Sequence, residues 1–457
     1  EIGSVYINSR NSVYLQGITE YKYDSPYYRK GVINTIKDLR RGASFKHFKK
    51  RFVSDKAVAL TDDDWYKIYV SNLYMNSLIK EFINSAQLMD KYNIPFTKAK
   101  GRYDKVYRLI NDAMEQIKWN ELQFEILDDQ ESKGDHFLYW YFDNDNKIPQ
   151  IKVLKSENIT DILIDENSNP IAYVYEETVY DEKIDLKTAT KTSNSRVVKW
   201  IFEKGQTTKI DNGLSETFEN KEQFKDLFTI IHIPSIKKHS ERFSHISAED
   251  YIDNCLHLDA IETDWRLINK LSGFPRIFIA NGLIDKAISN LSPSGIMYVK
   301  KNPESNGDVN MKSFEVTNGL DSIRNERDEI IKRIYKNACL INPILEMKTG
   351  TSDSARNTAQ LRKDLEMKLT KYMTNIAQSF KTYFKVLLEY NGFTYMGETF
   401  KVPTPAVKQS VFDEMLLKTQ KIALGLETIR SILKEQGLTD DEVEKRMIEI
   451  NREVISG

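Results

Sequence analysis

The stretch SHISAEDYIDNCLHLDAIETDWRLINKLSG, residues 244–273, has the pattern of one long amphipathic helix. Ser247 followed by Asp250 predicts an N-cap box at its start. Gly273 and Pro275 predict where it ends. The apolar positions that recur at helical spacing are Ile252, Cys255, Leu258, Trp265 and Ile268. At about 1.5 Å per residue, such a helix is about 30 Å long.

A second helix of matched length is predicted by GLDSIRNERDEIIKRIYKNACL, residues 319–340, which stops at Asn342–Pro343. Between the two helices, the runs FPRIFIANG, GIMYVKK and VNMKSFEV predict short strands around a small helix, LIDKAISNL. The sequence therefore predicts a small α/β insertion between two long helices of similar length.

The rest of the chain predicts an α+β protein. Apolar residues recur every three or four positions from Asp63 to about Leu127, and near Asp135 the period changes from about 3.6 to 2. Runs rich in β-branched and aromatic residues, separated by Asn, Asp, Gly and Pro turns, predict an antiparallel module over 136–234. The runs are HFLYWYFDNDNKIPQIKVL, ITDILIDENSNPIAYVYEETV, RVVKWIFEKGQTTKI and FTIIHIP.

A bare polar tract follows the second helix, in EMKTGTSDSARNTAQLRKDL, residues 346–365. It contains no apolar residue from Thr349 to Ser354, which predicts a loop before a long helix that continues to Tyr390. A strand-like patch, FTYMGETFKV, leads to a joint at Pro403 and Pro405, and helices are predicted beyond it.

Composition bounds the class of function. The chain has 457 residues, enough for about three structural regions. Its net charge is −1, from 66 basic and 67 acidic residues, which argues against a general nucleic-acid coat. This charge balance remains compatible with a DNA partner that the protein directs without binding it tightly. No run of about 18 apolar residues predicts a membrane span, and no basic-then-apolar leader is recognised at the start.

No enzymatic activity, cofactor or metal is predicted. The sequence lacks a G-x-x-x-x-G-K-[ST] phosphate loop, an H-E-x-x-H motif and a Cys/His cluster with zinc spacing. His232, in the apolar run IIHIPS, is interpreted as a core histidine. Cys255 and Cys339 are interpreted as reduced core thiols on helical segments, as expected in a reducing cytoplasm.

The order of these parts resembles that of tailed-bacteriophage portal proteins, the head-to-tail connectors. FTIIHIPSIKKHSERFSHISAEDYIDNCLHLDAIETDW is similar to the family's passage from a last wing strand into the first stem helix. TGTSDSARNTAQLRKDLEMKL resembles its tunnel-loop region, although Asp353 stands where members often carry glycine. LETIRSILKEQGLTDDEVEKRMIEINRE resembles the end of its helical crown. The resemblance covers about 60 to 455, chiefly as an order of elements.

The resemblance implies a division of the chain and a function. The implied parts are an N-terminal basic segment 1–60, a wing 61–246, stem helix 1 at 247–273, a clip 274–318, stem helix 2 at 319–343, a tunnel loop 344–357, a long helix with wing return 358–402 and a crown 403–457. It implies a virion protein at one capsid vertex, assembled in the host cytoplasm as a ring of twelve copies. Double-stranded DNA would pass through the ring during packaging and ejection. Terminase, capsid protein and tail or adaptor proteins are the implied partners, without a membrane.

Three sets of residues are candidates for this function. The tunnel-loop candidates are Lys348, Thr349, Gly350, Thr351, Ser352, Asp353, Ser354 and Arg356. The channel-lining candidates on the stem helices are Asp259, Glu262, Lys332 and Lys336. The docking candidates in the clip are Lys286, Lys300 and Lys301.

Two features of the stem helices bear on a ring. A lone pair of helices is expected to leave an apolar stripe, which neighbouring subunits would bury. The stripe consists of Ile252, Leu256, Ile261, Leu267, Ile323, Ile330, Ile334 and Tyr335. The first helix carries six acids against Arg266 and Lys270, 2 − 6 = −4, which repels phosphate or forms salt bridges. The mixed charges of the second helix favour pairing between adjacent subunits.

Two other functions remain open from the sequence. One is a ring-forming virion adaptor without DNA in its lumen. The other is a monomeric nucleic-acid accessory protein that uses the basic run RRGASFKHFKKRF, residues 40–52. In the alternative interpretation of that run, Phe45, Phe48 and Phe52 face the core of a helix while its cations are solvated.

Overall fold

The computed structural model describes residues 25–43, 45–48, 69–95, 101–143, 147–185, 190–237, 241–272, 276–280, 282–284, 299–301, 303, 310–314, 320–340 and 352–404. All of them lie in the first of the two units into which the chain divides, Glu1–Ala406. These residues form helices and antiparallel sheets, so the predicted α+β class is confirmed. The crown prediction falls on residues that are, apart from 403 and 404, outside the described part.

Within the described residues, five helices precede the two sheets of the β-rich module. They are α1 (Pro26–Arg40), α2 (Phe45–Phe48), α3 (Tyr74–Ser85), α4 (Arg102–Gln116) and α5 (Trp119–Ser132). The predicted helical region is therefore not continuous: residues 69–73 are not helical, and Leu73 adopts φ 51° before α3. Lys118 adopts φ 52° between α4 and α5, which splits one periodic run into two helices. Prediction missed α1, although Ser25 precedes Pro26 at its start.

The antiparallel module consists of two sheets. The three-stranded sheet has the order β3-β2-β9. The five-stranded sheet has the order β4-β5-β6-β7-β8. Its neighbours are consecutive along the chain, so it is a meander. The strands are β2 (Asp135–Tyr141), β3 (Gln150–Leu154), β4 (Ile159–Ile164), β5 (Pro170–Asp185), β6 (Thr190–Glu203), β7 (Gln206–Asp211), β8 (Leu214–Glu219) and β9 (Ile230–Pro234). Strands occur in all four predicted runs, whereas β8 was not predicted.

The two sheets share one apolar cluster, because alternate residues of each strand face the same side. Phe137 of β2 and Phe202 of β6 are buried there, with Tyr173 of β5. Each such side chain contributes roughly 1.5–3 kcal/mol by its removal from water. The turn between β6 and β7 depends on Gly205, which adopts φ +79°. A Cβ at this position would lie 2.5 Å from the carbonyl oxygen of Lys225.

Two further helices flank the predicted insertion. A 3₁₀ turn, Ser247–Tyr251, leads into α6 (Ile252–Ser272), and α7 (Leu320–Asn337) follows the insertion. The Ser247 hydroxyl does not cap α6. It is buried and shares a 2.7 Å hydrogen bond with the Tyr372 hydroxyl, which is why the predicted N-cap box is absent.

Strands of the insertion pair in a nested arrangement. The outer strands, β10 (Arg276–Ala280) and β13 (Asn310–Phe314), pair antiparallel. The inner strands, β11 (Gly282–Ile284) and β12 (Val299–Lys301), also pair antiparallel. Leu283 and Ile284 therefore belong to a strand, where a small helix was predicted. The remainder of that predicted helix lies outside the described residues.

A single helix, α8 (Ser352–Tyr390), organises the core. Its fully buried side chains include Leu369, Met373, Ile376, Phe380, Phe384 and Leu387. α8 covers the outer edge of β9: Asn375 donates to the carbonyl of Pro234 at 3.1 Å, and Ser379 donates to that of His232 at 2.7 Å. These contacts protect an edge that would otherwise expose unpaired backbone groups.

The start of α8 corrects the predicted loop. The helix begins at Ser352, whereas the loop was predicted over 344–357. Serine and aspartate favour helix N-termini, because their oxygens accept from free backbone N–H groups and a carboxylate complements the helix dipole. Ser352 and Asp353 therefore suit the first turn of α8. After α8, β14 (Thr399–Phe400) pairs with β1 (Tyr92–Asn93).

Both cysteines are free thiols. Cys255 is buried on α6, and burial together with nearby Asp259 raises the pKa of its thiol. Cys339 lies just beyond the end of α7 with φ 58°, so it is not on a helix as predicted. Among the helices that the structure describes, none is long and apolar enough to cross a membrane.

Candidate functional site

Helices α6 and α7 form an antiparallel pair. The side-chain amide of Asn337, at the end of α7, donates to the carbonyl oxygen of Asp250, just before α6, at 3.1 Å. Farther along, the Arg327 guanidinium donates to the carboxylate of Glu262 and lies 5.5 Å from the ring centre of Trp265. The end of α6 and the start of α7 therefore lie at the same end of the pair, where the chain leaves for the insertion and returns.

Asp259 does not face a channel, and that prediction is wrong. Its side chain lies inside the fold, with the residue only 3% exposed. Its carboxylate accepts a 2.9 Å hydrogen bond from the Tyr69 hydroxyl and a 3.0 Å bond from the backbone N–H of Asn72. A buried carboxylate requires such donors, because leaving it unpaired is costly. Asp259 therefore fixes the 69–72 segment onto α6.

The apolar stripe is largely buried within the chain itself. Leu256 and Ile261 on α6 are 2% and 6% exposed. Ile330 and Ile334 on α7 are 2% and 0% exposed. No neighbouring subunit is needed to bury these four residues, because α6, α7 and the helices before the sheets already cover them. Ile252, Ile323 and Tyr335 of the stripe are half-buried, so burial by a neighbouring subunit stays a prediction for them.

Charges on the stem pair are partly neutralised within the chain. Glu262 pairs with Arg327 across the two helices, where pairing between adjacent subunits was expected. Lys332 pairs with Glu329 of the same helix at 2.6 Å and is partly exposed. Lys336 is exposed. Of the four channel-lining candidates, Lys332 and Lys336 are therefore the ones with side chains accessible to a partner.

The tunnel-loop and clip candidates are placed only in part. The backbone of Ser352, Asp353, Ser354 and Arg356 belongs to the first turns of α8. Lys348, Thr349, Gly350 and Thr351 lie outside the described residues. Lys300 and Lys301 lie on β12, within the inner strand pair of the insertion. Lys286 is also outside the described residues.

Among the described basic residues of the run 40–52, Arg40, Lys46 and His47 contact acids within the chain, whereas Arg41 is exposed. Arg40 binds the carboxylate of Asp128 through two nitrogens, each at 2.8 Å. Lys46 and His47 both contact Asp38, at 2.6 and 2.9 Å. Phe45 packs edge-on against Tyr69, as the core interpretation predicts. Residues 49–52 lie outside the described part.

A buried ionic cluster surrounds Asp135 at the start of β2. Arg29 of α1 contacts its carboxylate at 2.9 Å, and both side chains are almost fully buried. His232 pairs with it at 2.8 Å, and the Ser244 hydroxyl donates to it at 2.7 Å. Burial alone would raise the pKa of Asp135. The Arg29 charge and the donors outweigh burial, so the pKa is held well below its usual value. His232 is thus a structural core residue, as predicted.

A second cluster surrounds Glu131 at the end of α5, with the residue 1% exposed. Lys368 of α8 contacts its two carboxylate oxygens at 2.9 and 2.8 Å. The hydroxyls of Tyr251 and Tyr372 donate to it at 3.0 and 3.1 Å. Burial, and then the charge of Glu131, raise the pKa of both tyrosines well above its usual value. The cluster ties α5, α8 and the turn before α6 to one carboxylate.

The carboxylates of Asp135 and Glu131 both lie among hydrogen-bond donors of the protein. Each carboxylate is satisfied by protein donors. Within the part of the chain that the structure describes, no group of three or more His, Cys, Asp or Glu is arranged to hold a metal ion. Sequence reasoning missed both clusters, because their members are separated by up to 241 residues and share no motif.

No protein-family model matches the chain, and no curated protein matches it. Among solved structures it is similar to a chain of "Neck of empty GTA particle computed with C6 symmetry", with 11% identity and a TM-score of 0.46 over 83% of this chain and 95% of that chain. It is also similar to a chain of "Virion of native gene transfer agent (GTA) particle". That match has 11% identity and a TM-score of 0.39 over 82% of this chain and 94% of that chain.

Proposed function

We propose that the chain is a phage-type portal protein. Copies form a ring at one vertex of the capsid, the genome passes through the ring during packaging and ejection, and terminase and then tail or adaptor proteins dock on it. The observation that carries the proposal is the antiparallel pair α6–α7 with a β-strand insertion at one end, between a β-rich module and the long helix α8. This order is that of wing, stem, clip and long helix in the family that the sequence resembles.

The physical role of the stem pair follows from its packing. α6, of 21 residues, is about 31 Å long, and α7 is bound along it by the Glu262–Arg327 pair and by apolar contacts. Such a pair is a stiff pillar. A ring of pillars encloses a hole, and the insertion at the far end of each pillar presents a docking surface for terminase and later for adaptors. Lys300 and Lys301, on β12, are the candidate residues for binding an acidic partner there.

DNA contacts in the proposed channel are weak and independent of base sequence. Asp259 is removed from the channel-lining set, and Glu262 is occupied by Arg327. The exposed cations of α7 include Arg324, Arg333 and Lys336, and they alternate with Asp321, Glu326 and Glu329. Mixed charges limit the number of phosphates that a helix neutralises. Because each neutralised phosphate strengthens DNA binding and its salt dependence, this limit favours passage over capture.

The first test is the assembly state of the purified chain. Negative-stain microscopy and mass photometry are expected to show closed rings with a central hole. A ring in particles whose lumen contains DNA supports a portal, whereas a ring with an empty lumen in DNA-filled particles supports an adaptor. A chain that is monomeric both in solution and in particles refutes the proposal.

A second test addresses the segment before α8. In the paired change Lys348→Ala and Arg356→Ala, rings are expected to form normally while the amount of DNA retained in particles falls, because two cations of the proposed tunnel loop are lost. Lys363→Ala with Lys371→Ala is the matched control, since both are exposed cations on the same helix, farther from the segment. Equal DNA retention by the paired variant and the control would show that the tunnel loop does not contact DNA.

A further inference from the structure

The hairpin of β5 and β6 is longer than the sheet that contains it. β4 pairs with β5 only as far as Tyr175, and β7 pairs with β6 only from Val198. Among the described residues, Thr178–Asp185 and Thr190–Val197 therefore pair with each other alone, in a register without interruption. We call these two segments the ribbon. Its eight residue pairs extend about 26 Å, at about 3.3 Å per residue.

A two-stranded ribbon is a poor structure in isolation. A hairpin without further strands is marginally stable at best in water. The described side chains of the ribbon include Tyr180 and Val197, which are 66% and 59% exposed. Both outer edges leave backbone N–H and C=O groups directed away from the hairpin. Neither proline nor a bulge interrupts them, although proteins use both to protect free edges.

The two strands differ in charge. Outward from Tyr180, β5 carries Asp181, Glu182 and Asp185 against Lys183, 1 − 3 = −2. Over residues 190–195, β6 carries Lys191 and no acid, which gives +1. Arg196, at the base of the ribbon, is already paired with Asp211 of β7 at 2.8 Å. One edge strand of the ribbon is therefore acidic, and the other is basic.

We propose that this ribbon joins copies of the chain: the acidic strand β5 of one copy pairs edge to edge with the basic strand β6 of the next. The inference rests on the proposed ring and adds the surface that closes it. Strand directions permit this pairing. In copies related by rotation, β5 and β6 alternate in direction around the ring, so every new pair is antiparallel like the pairs within the chain.

Such an interface is heterologous, because each copy contributes two different edges, and heterologous contacts close into rings when the rotation permits. Backbone hydrogen bonds along the edges provide affinity. Opposite charges on facing strands set the order of the edges, and like charges directly opposite destabilise a strand pair. The ribbon thereby gains a third and a fourth strand, which removes its structural weakness.

The test uses charge reversal. An acid-to-base variant, Glu182→Lys with Asp185→Lys, makes both strands basic. A base-to-acid variant, Lys191→Glu with Ser193→Glu, makes both strands acidic. Each variant alone is expected to assemble about tenfold or more weakly at every interface than the unchanged chain, as measured by mass photometry over a dilution series. A chain that carries all four changes is expected to assemble again.

The decisive sample is an equimolar mixture of the two variants. In an alternating ring, every interface brings a basic strand against an acidic strand, so the mixture is expected to form rings although neither variant does alone. Repulsion inside each hairpin persists in the mixture. If the four-change chain assembles and the mixture does not, the charges act within the hairpin, and the proposal is overturned.

The matched control lies on β8, the exposed edge of the same sheet. Glu216→Lys with Glu219→Lys changes the net charge by the same amount as the acid-to-base variant, at two exposed positions. Ring formation is expected to be unchanged. Normal rings from the two ribbon variants overturn the ribbon interface and leave the proposed portal function intact. An unchanged chain that never forms rings overturns both.

Discussion

Replacing Lys368 by methionine tests whether the Glu131 cluster holds the core together. Methionine keeps the length and apolar stem of the side chain and removes the charge. Glu131, 1% exposed, then retains only the Tyr251 and Tyr372 hydroxyls as hydrogen-bond donors among the contacts described above. Removing one member of a buried ion pair costs about 3–5 kcal/mol, since the remaining charge is left buried. The free energy of unfolding of an ordinary domain is about 5–15 kcal/mol, so this loss is a large fraction of it.

The assay is urea unfolding at pH 7, followed by tryptophan fluorescence. Trp119 is a suitable reporter, because it stacks on Phe400 with ring centres 4.3 Å apart in the core that α8 organises. The midpoint is expected to fall with the slope unchanged, as for a change in stability without a change in the surface exposed on unfolding. A double-mutant cycle with Glu131→Gln isolates the pair.

In that cycle, the double variant is expected to lose less stability than the sum of the single variants, by about 2 kcal/mol or more, because it leaves no unpaired charge. The reasoning would be refuted by a Lys368→Met protein within about 1 kcal/mol of the unchanged chain. Additive single changes would refute it as well, since they would mean that the two charges do not interact.

Three further outcomes are expected. Asp135→Asn should lower the free energy of unfolding most at neutral pH. A carboxylate with a lowered pKa stabilises the fold above the pKa that it has in the unfolded chain, about 3.9, so the difference in free energy of unfolding between the two proteins should narrow as pH falls below about 4. A difference that does not change with pH would contradict this. Gly205→Ala should destabilise the fold by several kcal/mol, roughly the sum of left-handed backbone strain and a backbone clash. Gly213→Ala, with φ +80° and open space around it, should cost about 1 kcal/mol. Equal midpoints of the two variants in thermal unfolding would contradict the clash at Gly205. Asp259→Ala should cost about 1–3 kcal/mol, while the exposed Asp264→Ala stays within about 0.5 kcal/mol. If Asp259 instead lined a channel, its loss would alter DNA passage and leave stability unchanged.

Local patterns predicted the elements whose signals are local. The four strand runs and α6, α7 and α8 were found from their periodicity. Helix α1 had an equally local signal that was overlooked, since Val32, Ile33, Ile36 and Leu39 recur at helical spacing after Ser25–Pro26. The break at Lys118 was not predictable from apolar periodicity, because the pattern continues through a residue in the left-handed conformation.

Long-range pairing explains the corrections at the candidate site. Asp259 was assigned to a channel because the sequence shows it only as one of six acids on the first stem helix. The partner that buries it, the segment 69–72, precedes it by nearly 190 residues. The stripe on α6 and α7 was assigned to neighbouring subunits for the same reason. Amphipathicity predicts which residues are buried, whereas tertiary topology decides what buries them.

The Glu131 cluster also constrains how this protein moves. Separating α5, α8 and the 3₁₀ turn before α6 would leave the buried Glu131 carboxylate and Lys368 ammonium without their partners, which is costly. These three elements therefore behave as one rigid block. Any large displacement during a working cycle must therefore pivot at joints away from that block.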